Sequence, residues 1–526
     1  MTVLLHRSDD LPTTGWDHWV AIEAGAIDLE PSRRLPGLAQ ALETAWDGAA
    51  ATWLAVSRML AGQTGSGADL AHAPACAGNA SDLGMMLAWS QLVAGWGAGD
   101  HRILVVCDDP WLFRHFAPMA GITAGRPPGI AGPTVRAWLR GLAARLAVSL
   151  RMARAALAWR AAARALPTAA PALLVYGHPA SDADGGDAYF GALMAEVPEL
   201  VRLLHVDCPL SRARALSGPR TAALSGFGSP LVALGLWLRR WRPRPQGPQA
   251  WLIRRAATRE GATGTPAMIA WQIHCQRRWL DSHRPSRVLW PWENHSWERV
   301  FVGDCRSRAI ATIGYQHATI GRLELNYHPG EPPRLPDRIL CAGPFGRDAL
   351  AAWGVADEVL AVAGAWRFTA PARRTPTPGG AVFVALPADR PISLQMIQAV
   401  IPLSQQGLRF VVREHPMTPV GFVPGPGLER ASGPLPTVEG IAAILYAGTT
   451  VGLEAALAGL PVVRFCPEDR LANDILPEGI ALPAAGAADL AATLAAARPL
   501  PSLATPLFAA VDVEFWRRLA TGGEHG

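Results

Sequence analysis

The sequence contains no lysine, so all 48 residues counted as Lys or Arg are arginines. This absence excludes a P-loop lysine, a Schiff-base lysine and the phosphate-binding lysine of protein kinases. Any phosphate or carboxylate ligand must therefore be held by arginine, backbone N–H groups, hydroxyls or histidine.

Paired cysteine motifs and long apolar runs are also missing. The seven cysteines are scattered, odd in number and form no CxxC, which predicts reduced cytoplasmic thiols and no zinc site. Charged residues interrupt every candidate 18-residue apolar window, and the first residues have too short an apolar run for a signal peptide. We expect a cytoplasmic protein without a transmembrane helix.

Arginine is concentrated in two otherwise apolar segments, although the net charge is only +5. They are Arg136–Arg164, inside a predicted helical insertion at 134–165, and Leu231–Pro245. Basic amphipathic segments of this kind can lie on an anionic membrane surface. The alternative is a helix that packs on the core and exposes its arginines to water. No nucleic-acid-binding module is evident, so we expect no nucleic-acid partner.

Strand-like and helix-like segments alternate in two consecutive series. This predicts an α/β protein with two Rossmann-like, doubly wound domains facing a cleft. The predicted regions are a mixed, largely helical cap at 1–95, an N-terminal Rossmann-like domain at 96–335, a C-terminal Rossmann-like domain at 336–500, and a helix that packs back, with a tail, at 501–526. Ligands of such sheets bind beyond the carboxyl ends of the strands, where candidate site residues are to be sought.

The first candidate is the stretch LYAGTTVGLEAALAGLPVVRF, in which a buried strand turns at Gly448 into a short helix. Thr449 and Thr450 fall where the helix begins, so their hydroxyls and the free N–H groups can hold an anion. Glu454 lies one turn further on, within reach of ribose hydroxyls. The alternative interpretation is that threonine serves only as the helix N-cap.

The second candidate is LRFVVREHP, a strand that ends in Arg413, Glu414, His415 and Pro416. Its arginine and histidine are two potential cations at the same sheet edge as Gly-Thr-Thr. A surface loop with chance charges is the alternative.

Two further strand ends bear polar side chains at the edge of the predicted cleft. ATIGYQH ends in Gln316 and His317, and RVLWPWENHSWE places Glu293 after a very apolar, tryptophan-rich strand, with Glu298 five residues on. A carboxyl group in such surroundings is expected to have a raised pKa and to serve as a general base or acid. The alternative is that glutamate is favoured there by the N-terminal dipole of a helix.

Taken together, REHP, GTTVGLEAALAGLPVV, GYQH and ENHSWE resemble the bacterial surface-carbohydrate glycosyltransferases of the GT-B fold. The likeness is to the group with HP and Ser/Thr motifs that includes sialyltransferases and the Kdo transferases of capsule or lipopolysaccharide. It covers about residues 285–470. Thr-Thr stands where Ser pairs are common, and the short acidic base motif of sialyltransferases is not evident.

The resemblance implies that the C-terminal domain binds a nucleotide sugar and the N-terminal domain an acceptor. His415, Thr449 and Thr450 would contact the phosphate of a CMP-sugar, Glu454 would bind ribose, and Gln316 and His317 would line the donor cleft. Arg413, Pro416 and Gly448 belong to the same donor site, and Glu293 is the expected base, with His317 as the second candidate. No cofactor and no metal are expected, because the donor is itself a substrate.

The loop SDADGGD has the Asp-x-Asp spacing with which GT-A glycosyltransferases hold a metal-bound nucleotide. Two predicted sheet units contradict a single GT-A domain, so the loop is better interpreted as facing the acceptor. His178, Asp184 and Tyr189 are its candidate acceptor-side residues.

The predicted function is transfer of a sugar, with CMP-linked Kdo or another nonulosonic acid as first candidate, to a glycan or lipid-linked acceptor. The expected location is the inner face of a bacterial membrane. A UDP-sugar-dependent GT-B enzyme or 2-epimerase is one alternative, and a non-catalytic, membrane-peripheral assembly factor is another.

Overall fold

The structure is a computed structural model in which three parallel sheets follow one another along the chain. It describes residues 3–25, 27–78, 80–98, 102–321, 324–330, 334–367, 372–416, 418–468, 470–472, 476–477, 479–501, 503 and 506–523.

The first sheet has four short strands in the order β2-β3-β1-β4. They are β1 (Val3–His6), β2 (His18–Ala21), β3 (Ile103–Val106) and β4 (Ile122–Ala124). Residues 1–95, which the sequence predicts to be a mixed or helical cap, supply two strands, and β3 pairs with both of them rather than with the N-terminal Rossmann-like sheet. The all-apolar run of β3 fits any buried parallel sheet, so its partners could not be inferred locally.

The second sheet has seven strands in the order β11-β10-β9-β8-β5-β6-β7. They are β5 (Ala172–Val175), β6 (Val201–Leu204), β7 (Thr221–Ala223), β8 (Arg287–Pro291), β9 (Ala311–Gln316), β10 (Arg338–Cys341) and β11 (Leu360–Val362). The last two lie within the range predicted for the C-terminal domain, but β10 pairs with β9 and therefore belongs to this sheet.

The third sheet has six strands in the order β14-β13-β12-β15-β16-β17. They are β12 (Ala381–Ala385), β13 (Phe410–Arg413), β14 (Leu428–Arg430), β15 (Ile441–Tyr446), β16 (Val462–Phe465) and β17 (Ala484–Ala485).

Helices connect the strands and cover the sheets. They are α1 (Leu38–Ala61), α2 (Leu83–Ala98), α3 (Pro110–Phe116), α4 (Ala131–Ala165), α5 (Leu193–Glu196), α6 (Leu210–Ala215), α7 (Pro230–Leu234), α8 (Ala250–Gly261), α9 (Thr265–His283), α10 (Ser296–Arg306), α11 (Pro344–Ala352), α12 (Arg390–Gln405), α13 (Thr450–Leu457), α14 (Leu490–Ala496) and α15 (Val513–Thr521). Within the described part of the chain, none of them is long and apolar enough to cross a membrane.

The second and third sheets share the Rossmann strand order. Numbered from their first strands, both contain the order 3-2-1-4-5-6, with one extra edge strand on the second sheet. The predicted α/β class with two Rossmann-like, doubly wound domains is therefore confirmed. In such sheets the order reverses between strands 1 and 4, here β5 and β8 in the second sheet and β12 and β15 in the third. The crevices that open there are the expected ligand sites.

The chain returns from the third sheet to the second through α15. Trp516 of this helix is fully buried, lies 5.0 Å from Tyr315 between ring centroids, and donates a 2.8 Å hydrogen bond to the Ala363 carbonyl. The returning backbone passes so close to Gly364 that a Cβ there would come within 2.2 Å of the Ala510 carbonyl oxygen. Glycine is thus required at this crossing, where φ is +83°.

We call each sheet, with the helices that cover it, a sheet unit. Buried ion pairs attach the first sheet unit to both Rossmann-like sheets. Glu43 of α1 accepts two hydrogen bonds, of 2.6 and 2.8 Å, from Arg464 of β16. Arg255 of α8 pairs with Asp82 at 2.8 Å and with Asp109 at 2.6 Å. The first sheet unit therefore contacts both halves of the protein.

Candidate active site

The first half of the candidate site lies at the switch point of the second sheet. Three neighbouring strands end there: β5 is followed by His178, β8 by Glu293 and β9 by His317. Because parallel strands end at one edge of the sheet, these three residues, distant in sequence, meet at the same crevice.

His295, a neighbour that the sequence motifs do not single out, binds the Glu293 carboxylate. The imidazole Nε2 lies 2.8 Å from the Glu293 Oε2. Burial acts to raise the pKa of Glu293, but the hydrogen bond and charge of His295, with His317 and Arg367, lower it to about 2. The raised pKa expected for this carboxyl group is therefore wrong: its immediate partner is a histidine, not the apolar tryptophan ring.

Glu298 is the carboxyl group with the raised pKa. It is fully buried, and burial raises its pKa to about 7. Its carboxylate accepts hydrogen bonds from the Trp290 indole at 3.1 Å and from the backbone N–H groups of Glu293 and Asn294 at 3.2 and 2.9 Å. Glu298 thus holds the turn that presents Glu293, which agrees with the helix-terminus interpretation of an acidic residue at this place.

His317 is almost completely buried beside the Glu293 carboxylate. Burial is the main reason that its pKa is lowered to about 4, so the ring is neutral at pH 7. The Nδ1 atom has no hydrogen-bond partner among the described residues. Its ring centroid lies 4.8 Å from that of Tyr189, which in turn lies 5.8 Å from that of His178. A neutral imidazole with an unused nitrogen can accept a proton.

Gln316 precedes His317 but does not share its surroundings. Its side chain is fully buried and donates to the Ala318 carbonyl. It packs so tightly on Gly346 that a Cβ there would lie 2.2 Å from the Gln316 Oε1. These contacts give Gln316 a packing role in the turn after β9.

The second half of the candidate site lies at the switch point of the third sheet. The turn after β15 places Gly448 at φ +59°, and Thr449 is the N-cap residue of α13. The Thr449 side chain makes no capping hydrogen bond, and its buried Oγ1 has no partner among the described residues. The simple N-cap interpretation therefore fails, and a free hydroxyl stands beside the N–H groups of the helix end.

Glu454 forms a side-chain hydrogen bond with Thr450, one turn before it on α13. Burial raises the pKa of Glu454, against the opposing effects of the Arg367 charge, the Thr450 hydrogen bond and the Arg413 charge. Arg413 is thus close enough to act electrostatically on this helix.

Arg413 and His415 reach the same edge from β13, two strands away from β15. The register pairs Ala385 of β12 with Arg413 on one side and with Tyr446 on the other. Two strand spacings of about 4.8 Å separate the ends by roughly 10 Å. Burial and the Arg413 charge lower the pKa of His415. Pro416 is exposed in the turn that follows.

Glu414 faces a different group of residues. It forms an ion pair with Arg430 and accepts hydrogen bonds of 2.8 and 2.6 Å from the backbone N–H groups of Val420 and Gly421. It therefore stabilises the loop after β13.

Arg367, which the sequence analysis did not select, connects the two halves electrostatically. Arg367 is itself exposed and lies five residues after the end of β11. Its positive charge acts on Glu293 and His317 of the second sheet and on Glu454 of α13. The two switch points therefore face a common cleft. Arg367 lies in a linker that has neither helical or strand periodicity nor a motif, so the sequence pattern does not point to it.

The acidic loop SDADGGD is held in shape by Asp182 and Asp187 and not by the candidate Asp184. Asp182 accepts from the Gly186 N–H at 2.8 Å, and the buried Asp187 accepts from the Tyr189 N–H at 2.9 Å. Asp184 itself is exposed. The described residues contain no cluster of His, Cys, Asp and Glu suited to a metal ion.

A cavity of about 430 Å³ has walls from all three sheet units. His72, Asp389 and Arg470 are among its lining residues, and Asp389, four residues after the end of β12, is the N-cap residue of α12. The His72 ring lies 5.5 Å from the His295 ring. The first sheet unit thus forms a wall beside the Glu293–His295 pair.

No protein-family model and no curated protein matches the chain. Among solved structures, the chain is similar to a UDP-GlcNAc 2-epimerase from Methanocaldococcus jannaschii with UDP-GlcNAc and UDP (10% identity, TM-score 0.40, covering 68% of this chain and 99% of that one). It is similar to Anabaena HepE with UDP and glucose, at 11% identity and a TM-score of 0.33 over 62% of this chain and 89% of that one. It is also similar to the lipopolysaccharide outer core galactosyltransferase WaaB, at 9% identity and a TM-score of 0.31 over 62% of this chain and 88% of that one.

Proposed function

We propose that the protein is a glycosyltransferase that moves a sugar from a nucleotide donor to an acceptor hydroxyl in the cleft between its two Rossmann-like sheets. The observation on which this rests is the pairing of two unlike sites across one cleft. One presents a neutral histidine with a free nitrogen beside a carboxylate, and the other a free hydroxyl at a helix N-terminus.

The third sheet is assigned the donor. The Thr449 hydroxyl and the first N–H groups of α13 donate hydrogen bonds to the phosphate, and Arg413 and His415 donate to a second anionic group about two strand spacings away. Such an arrangement suits a chain without lysine. As the sugar–phosphate bond breaks, these groups stabilise the negative charge that develops on the departing phosphate oxygen.

The second sheet is assigned proton transfer. His317 takes the proton of the acceptor hydroxyl as its oxygen bonds to the anomeric carbon of the sugar. The Glu293 carboxylate then stabilises the resulting imidazolium, since its negative charge opposes the effect by which burial lowers the pKa of His317. This assignment reverses the order of the two candidates, because Glu293, with a pKa of about 2 and a carboxylate already engaged by His295, is a weaker base than the His317 ring, with a pKa of about 4.

The donor has two candidates with the same number of anionic groups. CMP-linked Kdo or another nonulosonic acid, favoured by the motif resemblance, offers one phosphate and one carboxylate. A UDP-sugar offers two phosphates. Calorimetric titration with CMP and with UDP separates them, because only the correct nucleoside monophosphate or diphosphate should bind with a dissociation constant below the millimolar range.

The acceptor is proposed to be a glycan or lipid-linked saccharide, bound near His178 and Tyr189 at the inner face of a bacterial membrane. The test of the whole proposal is a donor-hydrolysis and transfer assay with purified wild-type, H317A and T449V proteins. Nucleotide release that depends on His317 and on added acceptor supports it. Interconversion of the donor sugar without an acceptor would instead identify an epimerase, and no nucleotide binding at all would identify a non-catalytic factor.

A further inference from the structure

Exposed apolar side chains are concentrated on one surface of the protein. Of the fifteen large apolar side chains that are exposed in the described chain, eleven lie on α4 or on residues 231–238. We call this surface the apolar face: Val135, Trp138, Leu139, Leu146, Leu150, Leu157, Leu231, Val232, Leu234, Trp237 and Leu238. Scattered exposed apolar residues are ordinary, but a contiguous group of this size indicates an interaction surface.

The apolar residues of α4 follow the helical repeat. Val135, Leu139, Leu146, Leu150 and Leu157 are separated by alternating steps of four and seven residues, which at 100° per residue places them within about 60° of one another. Over these residues the helix extends roughly 33 Å at 1.5 Å per residue. The line therefore forms a continuous ridge along the protein surface.

A different face of α4 packs on the protein itself. Val148, Met152 and Trp159 are buried, and the helix contacts α7, α8 and α9. The core-packing interpretation of this segment is therefore correct for one side of α4, and a second apolar side of the helix faces water.

Arginines border the apolar ridge on its outer side. Arg136, Arg140, Arg151 and Arg154 are all exposed, and α4 contains no acidic residue. Exposed arginines also follow the second apolar segment, at positions 239, 240, 242 and 244. Burial and the charges of Arg240 and Arg242 lower the pKa of Arg145, so like charges face one another here. The charge pattern is complementary to a surface rich in anions.

We propose that the apolar face docks on an anionic lipid membrane, with its leucine and tryptophan side chains among the upper acyl chains and its arginines at the phosphate headgroups. A lipid surface fits better than a protein partner because the apolar ridge and the arginine border run side by side along one long helix. The proposal does not depend on glycosyl transfer.

The experiment is co-sedimentation of the full-length protein with vesicles of phosphatidylcholine alone and with vesicles containing phosphatidylglycerol. We expect binding to the phosphatidylglycerol vesicles that weakens with added salt. R136Q/R140Q should lower that affinity by roughly 30-fold, since each arginine near an anionic surface contributes about fivefold. L146Q/L150Q should also weaken it, by about tenfold or more, because these side chains enter the apolar layer.

The matched control is L394Q/V423Q, which changes two exposed apolar residues of the third sheet unit. It should bind vesicles as the wild type does, and all variants should retain their thermal unfolding midpoint and nucleotide affinity. Equal vesicle binding by all four proteins, or none by the wild type, would overturn the proposal. So would concentration-dependent self-association of the wild type that L146Q/L150Q abolishes, because the face would then be an interface between two copies of this chain.

Discussion

The two switch points of the protein have the same topology and opposite chemistry. At the second sheet the polar groups are buried and titratable, and the pKa values of Glu293 and His317 are both strongly lowered. At the third sheet they are the Thr449 hydroxyl, the N-terminus of α13 and the Arg413 guanidinium, all on half-buried residues. Rossmann topology fixes where a ligand binds but leaves the chemistry to the residues that follow each strand. The first edge is equipped to move a proton, and the second to hold an anion.

The largest expected effect comes from removing the proton acceptor. H317A should lower kcat by about 10²- to 10⁴-fold, the usual contribution of a general base, while the dissociation constant of the nucleotide is unchanged. Steady-state kinetics and calorimetry measure the two quantities. The control is H283A, a buried histidine at the end of α9, before β8 begins and so at the opposite edge of the same sheet. If H283A lost activity equally, the effect of H317A would be one of folding.

The next effect should appear in binding. T449V keeps the side-chain shape and removes the free hydroxyl, so nucleotide affinity should fall by about 10- to 100-fold, the usual cost of a hydrogen bond to a charged group. T493V, in which the lost hydroxyl only donates to the Asp489 carbonyl on α14, is the matched control. An unchanged dissociation constant for T449V would show that the phosphate does not bind at this helix end.

Arg367 should show a smaller, mixed effect because its charge reaches both edges. R367Q is expected to weaken nucleotide binding and lower kcat by only severalfold each, since an exposed charge is screened by solvent and salt. Both effects should shrink as ionic strength rises, which kinetics at 20 and 500 mM salt would reveal. A change confined to KM would place Arg367 on the donor side alone.

The smallest expected change is in the pH profile. Burial lowers the pKa of His317 to about 4, so this ring stays neutral as pH falls from 8 to 6 and kcat/KM should remain constant over that range. The rate should fall only as pH approaches 4. Loss of half the activity near pH 6.5 would indicate an ordinary, solvent-exposed histidine as the base and would contradict the assignment of His317.

The alternation of strands and helices was sufficient to predict the α/β class and the two Rossmann-like sheets. It did not predict the first sheet, because β1 and β2 are four residues long and pair with β3 more than eighty residues away. Strand pairing across such distances has no local signal.

The site residues also divide into those with a local signal in the sequence and those without one. Thr449, Arg413 and His317 could be selected because each lies at or just after the end of a recognisable strand. His295 could have been found from its position two residues after Glu293. Arg367 could not, since its role depends on two sheets approaching the same linker.

The buried ion pair of Glu43 and Arg464 limits how far the two Rossmann-like halves can move against each other. Breaking a buried ion pair of this kind costs about 3–5 kcal/mol. The Glu43–Arg464 pair joins α1 to the third sheet unit. On the other side, Arg255 attaches the first sheet unit to α8. A wide swing of one Rossmann-like half against the other would have to break one of these attachments. We therefore expect a cleft of nearly constant width, in which substrates enter and leave by diffusion through a standing opening. The radius of gyration from small-angle X-ray scattering should then be the same with and without nucleotide, and shrink on nucleotide addition only in E43Q.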